Sequence, residues 1–425
     1  MMTSVIDRHD EATTRDASTR DATTRDQATQ PRTRRRRASF LLLASIVVAL
    51  IASSSAPTPL YPVYQAEWGF SAITTTVVFA VYAIAVLLAL LTFGSLSDHI
   101  GRRPVLITAL LVQAATMWVF ATADAVPQLV IARTLQGLAT GAALGAVGAG
   151  LLDVDRARGT IANAVAPMFG TGAGALLGGL FVTWLPLPTR LVFIVLSVVF
   201  LAQAAGVALM AETTSGKPGA LASLRPEIAL PPAARRPMLV ATPVLVAGWA
   251  LGGLYLALGP ALARLVVHSG SNLIGGVMVF VMAVSAAVTV LLARNVDAAR
   301  MMGGGIIALI VGVAFTLVAF ALSSVVAFGL SLLLAGAGFG ATLQGAIRTV
   351  LPAADEHQRA GLLSLVYVVS YLGFGLPAVL AGVLVVYGGG LRATAVEYGL
   401  AVIALAAVAL VGLRRTQLAR NFNRS

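Results

Sequence analysis

Apolar runs of about twenty residues recur along the chain at 39–58, 71–93, 104–123, 127–150, 161–184 and 189–210, and again at 238–261, 272–293, 301–322, 325–347, 360–386 and 394–413. As helices rising about 1.5 Å per residue, runs of this length cross a hydrocarbon core of roughly 30 Å. They are unbroken, whereas the strands of an outer-membrane barrel alternate apolar and polar positions over about ten residues. The pattern predicts an all-α polytopic membrane protein with 12 transmembrane helices. One long internal polar stretch, Ala211 to Pro237, contains Lys217, Pro218, Pro226, Pro231, Pro232, Arg235 and Arg236 and separates six runs from six. The expected architecture is two six-helix pseudo-symmetric bundles, 38–210 and 238–415, joined by a cytoplasmic linker over 211–237.

Residues 1–37 are polar and repetitive, with Thr-Arg-Asp at 14–16, 19–21 and 24–26, and are expected to form a disordered cytoplasmic tail; 416–425 form a second, short one. Basic residues before the first run resemble the start of a signal peptide. The run Phe40 to Ser54 continues into Ala56-Pro57-Thr58-Pro59 without a cleavage site, so an uncleaved first span is expected.

Composition agrees with this reading. Of 425 residues, 58% are hydrophobic and 11% charged, too little polar surface for a water-soluble globule of this size. The net charge of +12 is explained by topology rather than by a nucleic-acid partner. With the N-terminus inside, every Lys and Arg except Arg133, Arg190, Arg264 and Arg392 falls on the cytoplasmic side. A multi-pass protein of the cell (inner or plasma) membrane with both termini cytoplasmic is expected. The chain has no cysteine, which excludes thiolate chemistry and cysteine metal sites.

An internal repeat supports the two halves. FGTGAGALLGGLF at 169–181 aligns without gaps to LGFGLPAVLAGVL at 372–384, superimposing Gly170, Gly172 and Gly179 on Gly373, Gly375 and Gly382. The match pairs the fifth span with the eleventh, as in transporters built from parallel repeats.

The break between the second and third runs, Gly94 to Leu106, has the form G-x-L-x-D-x-x-G-R-R-x-x-L. Its glycines permit chain reversal and close helix approach, Asp98 can pair with arginine, and Arg102 and Arg103 are placed to face an anionic leaflet. It closely resembles the loop between spans two and three of the major facilitator superfamily. In the fourth run, Arg133-Thr134-Leu135-Gln136-Gly137 resembles that family's R-x-x-Q-G motif, whose arginine is linked to proton coupling. In the fifth, Gly170-x-x-x-Gly174-Ala175-x-x-Gly178-Gly179 resembles the signature of its 12-span drug/proton antiporters, with Ala175 where the pattern has proline. Small residues at this spacing let two helices touch closely and slide. The likeness extends over about 38–415.

The resemblance implies a secondary active transporter working by alternating access, with proton-coupled efflux of a small lipophilic or amphiphilic compound as the leading reading. An uptake or export carrier for a sugar or metabolite is the alternative; a transport-inactive membrane receptor or scaffold is the reading from another class. It also implies a substrate path between the halves, lined by spans one, four, seven and ten. That directs attention to Arg133, Gln136, Trp249, Tyr255 and Gln344, with Tyr367 and Tyr371 of span eleven beside them. Arg133 lies near the outer end of its run, so both a coupling role and simple snorkelling are open. Asp153, at the inner end of span four, either joins Gly94, Asp98, Gly101, Arg102 and Arg103 in a conformational switch or is a solvated loop carboxylate. Asp297 and Arg300 look like a degraded copy of the same loop.

No Asp or Glu falls at the centre of a run, which leaves proton coupling to residues near the span ends. The sole lysine, Lys217, precedes Pro218 and so makes no Walker A loop, and the four histidines form no H-E-x-x-H pair. An enzyme is not expected, nor is a cofactor or metal site; the expected partners are a small-molecule substrate, protons and the lipid bilayer, with the chain as a monomer.

Overall fold

The computed structural model describes residues 34–268 and 270–422, with side chains to Arg415. Among them are 12 helices long and apolar enough to cross a membrane, and no strand. They run α1 (Arg34–Trp68), α2 (Ala72–Phe93), α3 (Arg102–Ala121), α4 (Val126–Val154), α5 (Arg156–Trp184), α6 (Leu191–Leu209), α7 (Arg235–Val267), α8 (Leu273–Leu292), α9 (Ala298–Leu322), α10 (Val325–Val350), α11 (Arg359–Tyr387) and α12 (Gly390–Phe422). The α2–α3 turn, which includes a short helical segment at Ser97–Ile100, marks what is called here the hairpin end.

Two differences from the expected boundaries have physical causes. The tail expected over 1–37 lies outside the described residues except for Arg34 to Arg37, which are helical and open α1; Arg36 is held there by a 2.8 Å bond to the Val154 carbonyl at the end of α4. At its other end α1 continues beyond residue 58. A 3-10 turn at Thr58–Leu60 leads into a helical segment, Tyr61–Trp68. Proline has no N–H and its φ is fixed near the helical value, so Pro57 (φ −69°), Pro59 and Pro62 tighten and redirect the helix without ending it. Tyr61, in this continuation, is buried.

Each half has its own apolar core. Ile46, Leu50, Leu106, Leu110, Phe120, Phe193 and Phe200 belong to the first; Leu245, Leu262, Ile306, Leu309, Leu362 and Val402 belong to the second. Glycines replace bulk where backbones cross. Gly137 and Gly141 seat α4 on Tyr82, Ala85, Val86 and Ala89 of α2, and Gly336 and Gly340 seat α10 on Met282 and Ala286 of α8.

The glycine repeat occupies equivalent places in the two halves. Gly170 of α5 lies on Val48 of α1, and Gly373 of α11 on Val246 of α7. Gly172 and Gly179 face Phe280, Ala283 and Leu273 of α8 across the divide, while Gly375 and Gly382 face Ala80, Ala83, Ala72 and Thr76 of α2. α5 and α8, with α2 and α11, therefore form the contact between halves. Its glycine contacts lie at mid-helix and toward the end away from the hairpin.

Candidate functional site

Arg133 of α4 is fully buried. Its guanidinium donates from Nε and Nη2 to the Tyr61 hydroxyl at 3.1 and 2.6 Å, and from Nη1 to the Ser54 carbonyl and Gln136 Oε1, both at 2.8 Å. It also lies 5.4–5.7 Å from the ring centres of Tyr61, Tyr82 and Phe120. Gln136, one turn on, donates to the Ser53 carbonyl at 2.9 Å. Gln113 of α3 donates to Thr140 at 2.7 Å in the next layer. Among the described residues no carboxylate forms an ion pair with Arg133. A guanidinium at this depth costs roughly 2.5–3.5 kcal/mol on insertion scales, offset here by charge-assisted bonds and aromatic faces. The side chain points into the bundle rather than out toward the interface, so it does not snorkel.

The second half contributes an aromatic wall. Trp249 of α7 lies 5.4 Å from Tyr371 and 5.3 Å from Phe374 of α11, and 5.7 Å from Phe339 of α10. All four are near the middle of their helices. Phe374 reaches across to Phe79 of α2, 4.7 Å between ring centres, and Phe79 is one turn from Tyr82 on the same helix. α2 thus links the guanidinium of one half, through Tyr82, to the rings of the other, through Phe79. The indole N–H of Trp249 and the hydroxyl of Ser370, one turn before Phe374, are buried without a hydrogen-bond partner.

Of the residues expected along the path, Arg133 and Gln136 gather in the first group and Trp249 and Tyr371 in the second, with Tyr367 one turn from Tyr371 on α11. Tyr255 joins neither: it is buried in the core of the second half, its hydroxyl 2.8 Å from Thr316 of α9. Gln344 is half-buried on α10, more than a turn toward the hairpin end from Phe339. Tyr61, Tyr82, Phe79, Phe339 and Phe374 were not visible as site residues. The one available sequence signal was Phe79-x-x-Tyr82, two aromatics on one face of α2.

At the hairpin end, Arg102 is buried and joins three elements. It pairs with Asp98, donates to Ser97 Oγ at 2.7 Å and reaches Asp153 Oδ2 of α4 at 3.3 Å. Asp153 also accepts from Thr213 at 3.1 Å, so it is not a free loop carboxylate. Glu212, just past α6, accepts the backbone N–H groups of Arg102 and Arg103 at 2.9 and 3.0 Å, capping α3. Partial burial raises its pKa, but bonds from the backbone of Arg103, Arg102, Thr213 and Thr214 outweigh that and hold the carboxyl below its ordinary value. Gly101 has φ +102°, and a Cβ there would lie 2.7 Å from Glu212 Oε2; Gly94 is pressed against Gly145 of α4. The expectation that Arg102 and Arg103 face the leaflet is corrected: Arg102 turns inward to two carboxylates, and Arg103 donates to the Val207 and Ala208 carbonyls that end α6. In the second half Asp297 instead caps α9 through the N–H groups of Ala299 and Arg300, at 3.1 Å each.

The fifth-span glycines divide between two partners. A Cβ at Gly170, Gly174 or Gly178 would run into the α1 backbone at Val48, Ala52 and Ala56, whereas Gly179 faces Leu273 of α8. Ala175, where the antiporter pattern has proline, is itself fully buried, and its carbonyl would lie 2.5 Å from a Cβ at Gly276.

The family model described as Major Facilitator Superfamily matches residues 41–352. The chain belongs to the major facilitator superfamily. Solved transporters share its fold: the bacterial homologue of the human lysosomal transporter Spinster, inward-facing and unoccupied (TM-score 0.71, 15% identity, 89% of this chain and 97% of that one); the nucleoside transporter NupG (0.65, 12%, 88% and 98%); and the human organic anion transporter MFSD10 (TETRAN) (0.62, 18%, 89% and 99%). As a superfamily member the chain is a multi-pass membrane transporter of a small molecule. The Arg133 network, through Tyr82 of α2, and the Trp249 wall, through Phe374 of α11, border the contact between halves.

Proposed function

We propose that the chain is a secondary active carrier of the cell membrane that exports small lipophilic or amphiphilic compounds in exchange for protons, working as a monomer by alternating access. The observation that carries this reading is the line of groups from Arg133 through Tyr82 and Phe79 of α2 to Phe374 and Trp249, which joins the two halves. A mostly aromatic wall suits an apolar cargo, and a site shared by both halves releases it when they rock apart. The α1–α5 glycine face and the likeness of the fourth and fifth spans to the drug/proton antiporters support exchange with protons. Among the described residues no Asp or Glu is buried, so in this reading the carboxylates that take up and release protons stand at the span ends, Asp98, Asp153 and Glu212 among them. Arginines gathered at the hairpin end support a cytoplasmic position for that end, and in this reading the cluster of Asp98, Arg102 and Asp153 acts as a cytoplasmic latch. No cofactor or nucleic acid enters the cycle.

The test uses everted vesicles carrying the protein. A proton gradient is expected to drive accumulation of a lipophilic dye, with proton efflux on adding the dye. Vesicles that move neither dye nor protons, from cells that take up a sugar or metabolite only when the protein is present, would sink the reading.

A further inference from the structure

The sign and shape of the cargo are written into the site. Among the described residues Arg133 is the one charged side chain that is fully buried, and no carboxylate pairs with it. The positive charge lies against Tyr82, one turn along α2 from Phe79, which meets Phe374 of the aromatic wall. An aromatic cluster can also hold a cation against ring faces. Here that option is weakened, because the guanidinium already lies over the rings of Tyr61, Tyr82 and Phe120. A second cation brought into this water-poor space would be repelled by an uncompensated first.

What the wall lacks is an acceptor. The Trp249 indole N–H is a donor only, and it is buried with no hydrogen-bond partner; the Ser370 hydroxyl one turn from Phe374 is in the same position. A buried donor left unpaired is a standing cost that a ligand acceptor removes. A planar ring inserted beside Trp249 and Tyr371, whose planes are only 36° apart, would gain stacking and bring that acceptor.

We infer that this site selects planar aromatic compounds that are neutral or acidic and carry a hydrogen-bond acceptor for the Trp249 N–H, and that it rejects aromatic cations. The inference rests on the carrier reading above and narrows its cargo. The site works as a charge filter: stacking supplies affinity, the indole N–H orients the acceptor, and Arg133 excludes positive charge from behind Tyr82.

The experiment is calorimetric binding to the purified full-length protein in lipid nanodiscs, with three bicyclic probes of matched size: 2-naphthamide, 2-naphthoate and N-methylquinolinium. The first two are expected to bind and the cation to bind at least about tenfold more weakly. Trp249→Phe keeps a ring and loses the N–H, and should weaken both binders about tenfold; Phe339→Leu, on another helix, should weaken them through lost ring contact and serves if the tryptophan variant is poorly folded. Trp118→Phe, on the lipid-facing side, should change nothing. Arg133→Gln should raise the affinity of the cation. Tighter or equal binding of N-methylquinolinium, absence of binding by all three probes, or affinities unmoved by both Trp249→Phe and Phe339→Leu would overturn the inference. Failure of proton-driven export in vesicles alongside Trp249-dependent binding of 2-naphthoate would remove the export reading and leave this one standing; export of cations without dependence on Trp249 would do the reverse.

Discussion

A guanidinium that serves the Tyr61 hydroxyl, the Ser54 carbonyl and Gln136 together from one plane has no substitute in an ammonium, which presents its donors from a single point. Arg133→Lys is therefore expected to lose at least two of these bonds, each charge-assisted and worth about 1.5–3 kcal/mol, and to lower transport by about tenfold or more at unchanged expression; a vesicle transport assay with quantified protein checks it. Glu212 gives a pH dependence with a definite sign. Its folded pKa lies below the ordinary 4.5, so the stability it confers is fully present above about pH 4.5 and is lost as pH falls through the lower folded value. Thermal unfolding of Glu212→Gln from neutral pH downward should start from a lower melting temperature than wild type and converge with it in acid; a constant gap would refute the capping role. Arg133 and Gln136 were legible in the sequence because a charge and an amide one turn apart stand out in an apolar run. Tyr61 and Tyr82 were not, because their contacts to Arg133 join residues far apart in the chain and depend on a proline-bent helix end and on helix rotation.

The elements meet through glycine where backbones cross, and substitutions should separate close contacts from open ones. A Cβ at Gly174 would collide with the Ala52 carbonyl and Ser55 Oγ of α1, whereas one at Gly329 of α10 meets nothing within 4 Å. Gly174→Ala should destabilise the protein by about 1–3 kcal/mol. Gly329→Ala, in a helix interior with open space, should be neutral or stabilise by up to about 1 kcal/mol. Thermal stability in lipid nanodiscs compares the two, and equal shifts would argue against the packing account. At this scale the sequence was informative about which spans exist, because a run of apolar side chains decides by itself whether a segment partitions into a bilayer. It placed α1 less well. Its apolar run ends at residue 58, but in the structure the helix continues through the prolines at 57, 59 and 62 to Trp68.

For the whole molecule the decisive contact is the divide, where α5 faces α8 and α2 faces α11. A side chain at Gly276 would lie 2.5 Å from the Ala175 carbonyl, wedging the halves apart at the end away from the hairpin. Gly276→Ala should shift the population toward states open at that end. The chain has no native cysteine, so Thr76→Cys gives a single buried probe in α2 at the contact with Gly382. It should react faster with a membrane-impermeant thiol reagent in the Gly276→Ala background, and equal rates would count against rocking about this divide. The sequence by itself determined the 12 spans, the separation into two groups of six, and the repeat linking α5 with α11, since partitioning and duplication are properties of consecutive residues. Only the tertiary structure decided that Arg102 turns inward, that Tyr255 belongs to a core and that α2 carries Tyr82 against Arg133 and Phe79 against Phe374. Those outcomes depend on how each helix is rotated against its neighbours, and that rotation is set by packing across the whole bundle rather than by local pattern.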